Sequence, residues 1–239
     1  MGKFNRFARQ FGRACGDYNL ILPADIILLP LDTTYDSLAL LHWIHYKSTK
    51  TPQHFEIIPI YFYCTDEPND FAQNFLIDFC SKKNLQLQSR KIPKQNSHFS
   101  LLSLYANCCL ELKCNKFAVS DCLDDLDSIL LSNMATFGTS DIPNVIQQAI
   151  PGVFIIRPFA YLSKKEIEDF GSKNNFPNEI SGQIIPNDPA IEIAKSALYH
   201  MADGNCNALF NVFHSLFDVR HLYLGVGTGQ ISKDDDDEL

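Results

Sequence analysis

The sequence is poor in the signals that usually announce a function. No apolar run approaches the roughly 18 residues of a membrane-spanning helix, so a helical membrane protein is excluded. Eight cysteines, at 15, 64, 80, 108, 109, 114, 122 and 206, include no C-x-x-C pair and no even spacing, and no apolar leader precedes them. A disulfide framework and a secreted address are therefore unsupported, and the cysteines read as reduced thiols of a cytoplasmic protein. There is no Walker loop, no G-x-G-x-x-G, no serine elbow and no internal repeat.

With 239 residues, 46% apolar and 20% charged, the chain can bury a large core by itself. The expectation is a single domain over 1–233 and an acidic tail over 234–239. The net charge is −8, and Asp234, Asp235, Asp236, Asp237 and Glu238 carry five of those negatives, so the body holds about −3 by subtraction. The final D-E-L resembles an ER-retention signal but lacks the preceding basic or histidine residue. Positive charge gathers in two stretches without acids: Lys3, Arg6, Arg9 and Arg13, then Lys82, Lys83, Arg90, Lys91 and Lys94. Either could meet phosphates, and either could be a solvated face.

The pattern alternates. Residues 3–15 form an amphipathic basic helix with Phe4, Phe7, Ala8 and Phe11 on one side, an organellar leader being the weaker alternative. Asp25–Leu31 is a continuous apolar run of buried-strand type, and a helix follows from Asp36. Further strands are predicted at 55–62, 85–88, 116–120 and 153–157, with Pro59 favouring an edge or bulge. Helices are predicted at 69–83, 99–113, 124–136, 163–172, 189–202 and 206–217, and a loop over 138–152. Ser163 with Glu166 has capping-box spacing. Such alternation implies an α/β fold with a doubly wound, mainly parallel sheet, whose ligands bind beyond the carboxyl ends of the strands. The loops after 25–31 and 116–120 are the ones to watch.

Those two loops carry a resemblance. The segment Y-N-L-I-L-P-A-D-I-I-L-L-P-L-D-T-T-Y-D-S-L-A-L-L is similar to the opening of the tRNA 2-thiocytidine synthetase family of PP-loop ATPases, where a strand runs into S-G-G-x-D-S. Blocks at 116–134, at 156–170 (I-R-P-F-A-Y-L-S-K-K-E-I-E-D-F) and near the end (N-A-L-F-N-V-F-H-S-L-F-D) agree in order, from about residue 16 to 222. The resemblance implies an adenine-nucleotide-hydrolase-like (PP-loop/HUP) fold, ATP and Mg²⁺ as cofactors, tRNA as partner, and adenylation of a cytidine O2 that sulfur then attacks. Neither membrane nor DNA is implied. A homodimer or a protein partner stays open.

Matched position by position, the glycine loop falls on Asp32, Thr33, Thr34, Tyr35, Asp36 and Ser37. Both glycines, which in the family let backbone N–H groups cup a pyrophosphate, are threonines, and the first serine is aspartate. A threonine at positive φ costs about 1–2 kcal/mol. A carboxylate about 4 Å from a phosphate charge adds roughly 4 kcal/mol of repulsion at an effective dielectric near 20. In the second loop, the family's G-H-x-x-D-D becomes Ser120, Asp121, Cys122, Leu123, Asp124 and Asp125, keeping only the paired acids, which would also stabilise a helix start by themselves. The family's four cluster-binding cysteines fall on Lys94, Ser97, Ser181 and Ile184, so an iron–sulfur cluster is expected to be absent.

Other chemistry is thinner. His42 and His45 lack a third ligand, while His200, His214 and His221 are scattered. Asp32, Asp36, Asp121, Asp124, Asp125 and Asp127 could hold Mg²⁺ in an unrelated phosphohydrolase. Two readings stand. One is an ATP-dependent tRNA-modifying enzyme in which Asp36, Ser37, Asp124 and Asp125 still handle nucleotide. The other, which the residues favour, is a degenerate, non-catalytic relative that binds RNA, through Lys82, Lys83, Arg90 and Lys91, or a protein.

Overall fold

The computed structural model describes residues 3–52, 54–94, 98–139, 142–178, 188–203 and 208–219. The elements in order are α1 (Lys3–Asp17), β1 (Ile26–Leu31), α2 (Tyr35–Lys50), β2 (Glu56–Tyr63), α3 (Asp70–Ser81), β3 (Gln88–Lys91), α4 (His98–Leu112), β4 (Lys116–Ala118), α5 (Leu123–Phe137), β5 (Ile146–Ile150), β6 (Val153–Ile156), α6 (Lys164–Lys173), α7 (Pro189–Ala202) and α8 (Ala208–Val219). The six strands form one sheet in the order β3-β2-β1-β4-β6-β5. All pairs are parallel except β5 with β6. Because the chain leaves β1 for β2 and β3 on one side and reaches β4 on the other, the winding reverses between the carboxyl ends of β1 and β4.

The doubly wound, mainly parallel sheet expected from the apolar runs is present, with three local corrections. Residues 138–152 contain β5, an edge strand paired antiparallel to β6 through a turn at Pro151 and Gly152, the glycine at φ 82°. Its I-Q-Q-A-I pattern is too polar to read as a strand alone. The third strand begins at Gln88, because the preceding residues close α3: Leu85 N–H returns to Cys80 O (3.0 Å) with Asn84 at φ 57°. Pro59 sits inside an interior strand, yet β3 starts pairing with β2 only at Ile60, so there β2 is locally still an edge.

Contacts group the described residues into two units, one up to residue 126 and from 143 to 188, the other from 127 to 142 and from 189 onward. In the first, Leu28, Ile60, Phe62, Phe117 and Ile155 from the sheet pack with Tyr105, Ala106 and Cys109 of α4. A second apolar set anchors α1, whose Phe7 stacks on Trp43 (5.1 Å, 12°) and meets Phe159 edge-on (5.5 Å, 89°), while Phe11 packs against the same two rings. Burying each phenylalanine contributes about 1.5–3 kcal/mol, so this basic helix is part of the fold. Phe4's side chain lies outside the described residues. In the second unit, α7 and α8 pack on each other, with Ala194, Leu198 and Phe213 buried. The acidic tail lies outside the described residues. No described helix is long and apolar enough to cross a membrane.

Candidate functional site

The loop leaving β1 is closed by its own side chains. Asp32 Oδ1 accepts from the Thr34 N–H (2.9 Å) and from the Thr34 hydroxyl (2.5 Å). Ser37 Oγ accepts from the Asp32 N–H (2.9 Å), and Thr34, at φ −84° and ψ 158°, caps α2 by accepting from the Ser37 N–H (3.4 Å). The Tyr35 N–H donates to Asn178 Oδ1 (3.3 Å). Serine, threonine and aspartate seek such local bonds, which is why this sequence caps a helix here. The strain expected of threonines at positive φ is not incurred. Among the described residues the non-glycine positions at positive φ are Asn19, Ala24, Asn84, Lys113 and Asn175, so the loop has abandoned the glycine conformation altogether.

The N–H groups of Asp32, Thr34, Tyr35 and Ser37 therefore already hold side-chain oxygens, and one of those acceptors is a carboxylate seated where a backbone nest would hold an anion. Thr33 is fully buried. The Tyr35 ring covers Gly171 of α6 so closely that a Cβ there would come within 2.9 Å of Tyr35 Cβ.

Next to this loop stand the acids that the sequence marked. Asp36 pairs with Lys164 Nζ. The Lys164 N–H, at the start of α6, donates to Asp124 Oδ2 (2.7 Å), and Asp125 Oδ2 accepts from the Cys122 N–H (3.0 Å) at the start of its own helix. Burial pushes the Asp36 carboxyl pKa up, Lys164 opposes this, and Asp125 and Asp32 reinforce it. For Lys164, burial lowers the pKa, but Asp36 and then Asp125 outweigh it, and the net direction is up. Burial is thus the main cause of the shift at Asp36, and the neighbouring carboxylates are the cause of the shift at Lys164. Asp124 and Asp125 thus do structural work, as the helix-start reading allows. Among the described residues no three His, Cys, Asp or Glu side chains converge to hold a metal ion.

Asp121, at the family's histidine position, receives Arg157 Nε (2.8 Å), and Arg157 also donates to Asn144 O (2.7 Å). Ser120 is half-buried beside it. Arg157 and Lys164 were not singled out from sequence, although both lie in the quoted I-R-P-F-A-Y-L-S-K-K block. Lys164 had a signal: a cation in the first turn opposes the helix dipole and needs another reason to be there.

The other candidates disperse. Lys82 pairs with Asp78 (2.6 Å), Arg90 with Glu111 (2.6 Å), Lys91 with Asp66 (3.0 Å), and Lys83 lies over the Phe79 ring at 4.7 Å. His42 packs edge-on against Trp43 and Phe170, and burial, helped by Lys83, pushes its pKa down to about 4. His45 Nε2 meets the Lys83 carbonyl at 3.0 Å. His200 is exposed, while His221 and the side chain of His214 lie outside the described residues. Lys94 is exposed, and Ser97, Ser181 and Ile184 lie outside the described residues.

No family model matches the chain. It is 27% identical over 190 residues to the tRNA-cytidine(32) 2-sulfurtransferase of Paraburkholderia phymatum, covering 73% of this chain and 56% of that one. The like-named protein of Burkholderia mallei gives 27% over 190 residues, 73% and 57%. Among solved structures, the U34-tRNA thiolase NcsA of Methanococcus maripaludis, determined with its 4Fe–4S cluster, superposes with a TM-score of 0.73 over 92% of this chain and 80% of that one, at 12% identity. This chain is a divergent relative of the PP-loop tRNA 2-thiocytidine synthetases. The thiolase likeness shows the shared PP-loop fold, with its mostly parallel six-stranded sheet and flanking helices. The chain spans little more than half the length of the curated relatives it matches.

Proposed function

We propose that this PP-loop relative is a non-catalytic, cytoplasmic RNA-binding scaffold that has lost ATP-dependent tRNA thiolation. One observation carries the reading: the loop after β1 bonds its own N–H groups, with the Asp32 carboxylate as internal anion. A triphosphate would have to displace that carboxylate and then lie against Asp36, Asp124 and Asp125, which together with Asp32 outnumber the one lysine at the site. The residues do not fit a nucleotide's pyrophosphate. Lys94, Ser97, Ser181 and Ile184, at the family's cysteine positions, supply no thiolate for an iron–sulfur cluster.

The names of the curated relatives make tRNA the ligand to test. Lys82, Lys83, Arg90 and Lys91 would exchange their present partners for phosphates, which makes affinity salt-dependent. Two measurements test this. Incubation with tRNA, ATP, Mg²⁺ and sulfide, followed by nucleoside analysis, is expected to yield no 2-thiocytidine, and its formation would restore the enzyme reading. In gel shifts tRNA is expected to bind and to weaken when the four basic residues become alanine. Absence of any shift would leave a protein as the scaffold's ligand.

A further inference from the structure

Helix α3 carries one apolar stripe more than its packing needs. Ala72, Leu76 and Cys80, four residues apart, are buried and seat the helix on β2. Beside them runs a second stripe, Phe71, Phe75 and Phe79, of which Phe71 is 50% exposed and the other two are half-buried. Their rings lie nearly parallel, Phe71 to Phe75 at 6.4 Å and 23°, Phe75 to Phe79 at 5.8 Å and 17°. Phe176 meets Phe79 edge-on (5.3 Å, 84°) and fixes the inner end of the row.

Cations stand at both ends of this row. Lys83 continues the four-residue spacing, its ammonium 4.7 Å from the Phe79 ring centre, and no carboxylate among the described residues pairs with it. At the other end the Gln73 amide reaches Ser89 Oγ (3.4 Å), which ties α3 to β3, and alternation along β3 puts Lys91 on the same side of the sheet as Ser89. Lys91 pairs with Asp66, just ahead of α3, as Lys82 pairs with Asp78 within it. Arg90 points to the other side and bonds Cys108 and Glu111 of α4, so Lys91 is the β3 cation that belongs to this face. Because α3 follows the carboxyl end of β2 and Lys91 closes β3, Phe71 and Lys91 share the end of the sheet at which the candidate site lies.

We propose that the phenylalanine row of α3 is a stacking platform for unpaired RNA bases, with Lys83 and Lys91 holding the flanking phosphates. The inference rests on the RNA-binding reading and adds to it the class of RNA: single-stranded nucleotides, taken with little regard to sequence. Every base has a π face, so stacking on aromatic rings tolerates any sequence, and a row of near-parallel rings offers successive bases successive planes. A duplex keeps its bases stacked on one another and has none to give to the rings. Lys82 and Lys91 must first leave Asp78 and Asp66, so phosphate contacts are few and the salt dependence is shallow.

The test is an anisotropy titration of the full chain with a short labelled oligoribonucleotide, single-stranded or annealed to its complement, and with tRNA. The single strand is expected to bind at least about tenfold more tightly than the duplex. Phe71 is at the surface, where substitution leaves the fold in place. Phe71→Ala is expected to weaken single-strand binding by roughly 5- to 140-fold, the range of one lost base stack. Phe71→Leu, apolar but without a π face, falls as far, and Phe71→Trp keeps the affinity. Equal binding of single strand and duplex, or full affinity in Phe71→Leu, overturns the platform and leaves the RNA-binding reading standing. No binding of single strand, duplex or tRNA overturns both. A dimer that Phe71→Ala dissolves in sedimentation, with RNA binding unchanged, gives the row to a second copy of the chain and likewise overturns the proposal.

Discussion

Two lysine–aspartate pairs occupy opposite ends of the same sheet, and they are built differently. Where β1 and β4 begin, Lys116 donates to Asp25 (2.6 Å) and to Leu20 O (2.9 Å), while Asp25 also receives Asn115 Nδ2 (2.7 Å) and the Leu22 N–H (2.6 Å). Both side chains are 5% exposed. Where the strands end, Lys164 and Asp36 are 29% and 19% exposed. There, Asp36 Oδ1 is buried with no hydrogen-bond partner among the described residues, and further carboxylates stand alongside. The first pair is a closed, saturated network that holds two strand starts together. The second is over-acidic and incomplete, in the position where a PP-loop protein is expected to meet an anion.

The sharpest way to break this comparison is to remove each lysine. Lys116→Met leaves Asp25 buried without its counter-ion and should cost about 3–5 kcal/mol in chemical denaturation. Equal costs for Lys116→Met and Lys164→Met would mean that the two ends are not distinct. Helix α2, which carries Asp36, also carries His42, neutral in the folded chain with its pKa held down to about 4. The unfolded chain binds that proton near pH 6.5, so stability is full above this value and is lost as pH falls toward 4, by about 2 kcal/mol in urea midpoints. A flat profile over that window contradicts the burial of His42. Smaller again is Gly171→Ala, where overlap with Tyr35 outweighs the gain in helix propensity and lowers stability by about 1 kcal/mol. The loss should shrink in a Tyr35→Ala background, which removes the overlapping ring and keeps only the Cβ contact. Smallest is Lys164→Met, expected below about 1 kcal/mol because its pair is part-exposed and screened.

Much of the architecture was legible because buried parallel strands write themselves as apolar runs, as Asp25–Leu31 does, and because Ser163 and Glu166 form the capping box that their spacing announces. Edge elements were harder. The I-Q-Q-A-I strand shows little apolar alternation since none of its residues is fully buried, and Q-S-R-K reads as polar loop until β2 orders it. At the site, identity was readable and conformation was not. Thr33 and Thr34 showed that glycine was missing, but not that Asp32 and Ser37 would rebuild the turn as a capped helix start. The pairings of Asp36 with Lys164 and of Asp121 with Arg157 join segments 128 and 36 residues apart, beyond the reach of local pattern.

Calorimetric titration of ATP with Mg²⁺ tests the central claim most directly, on the wild-type chain and on the variant Asp32→Ser, Thr33→Gly, Thr34→Gly. A loop already filled by its own carboxylate predicts no binding heat from the wild type at millimolar nucleotide, and measurable heat once the carboxylate is gone and the glycines are back. Saturable micromolar binding by the wild type would contradict it.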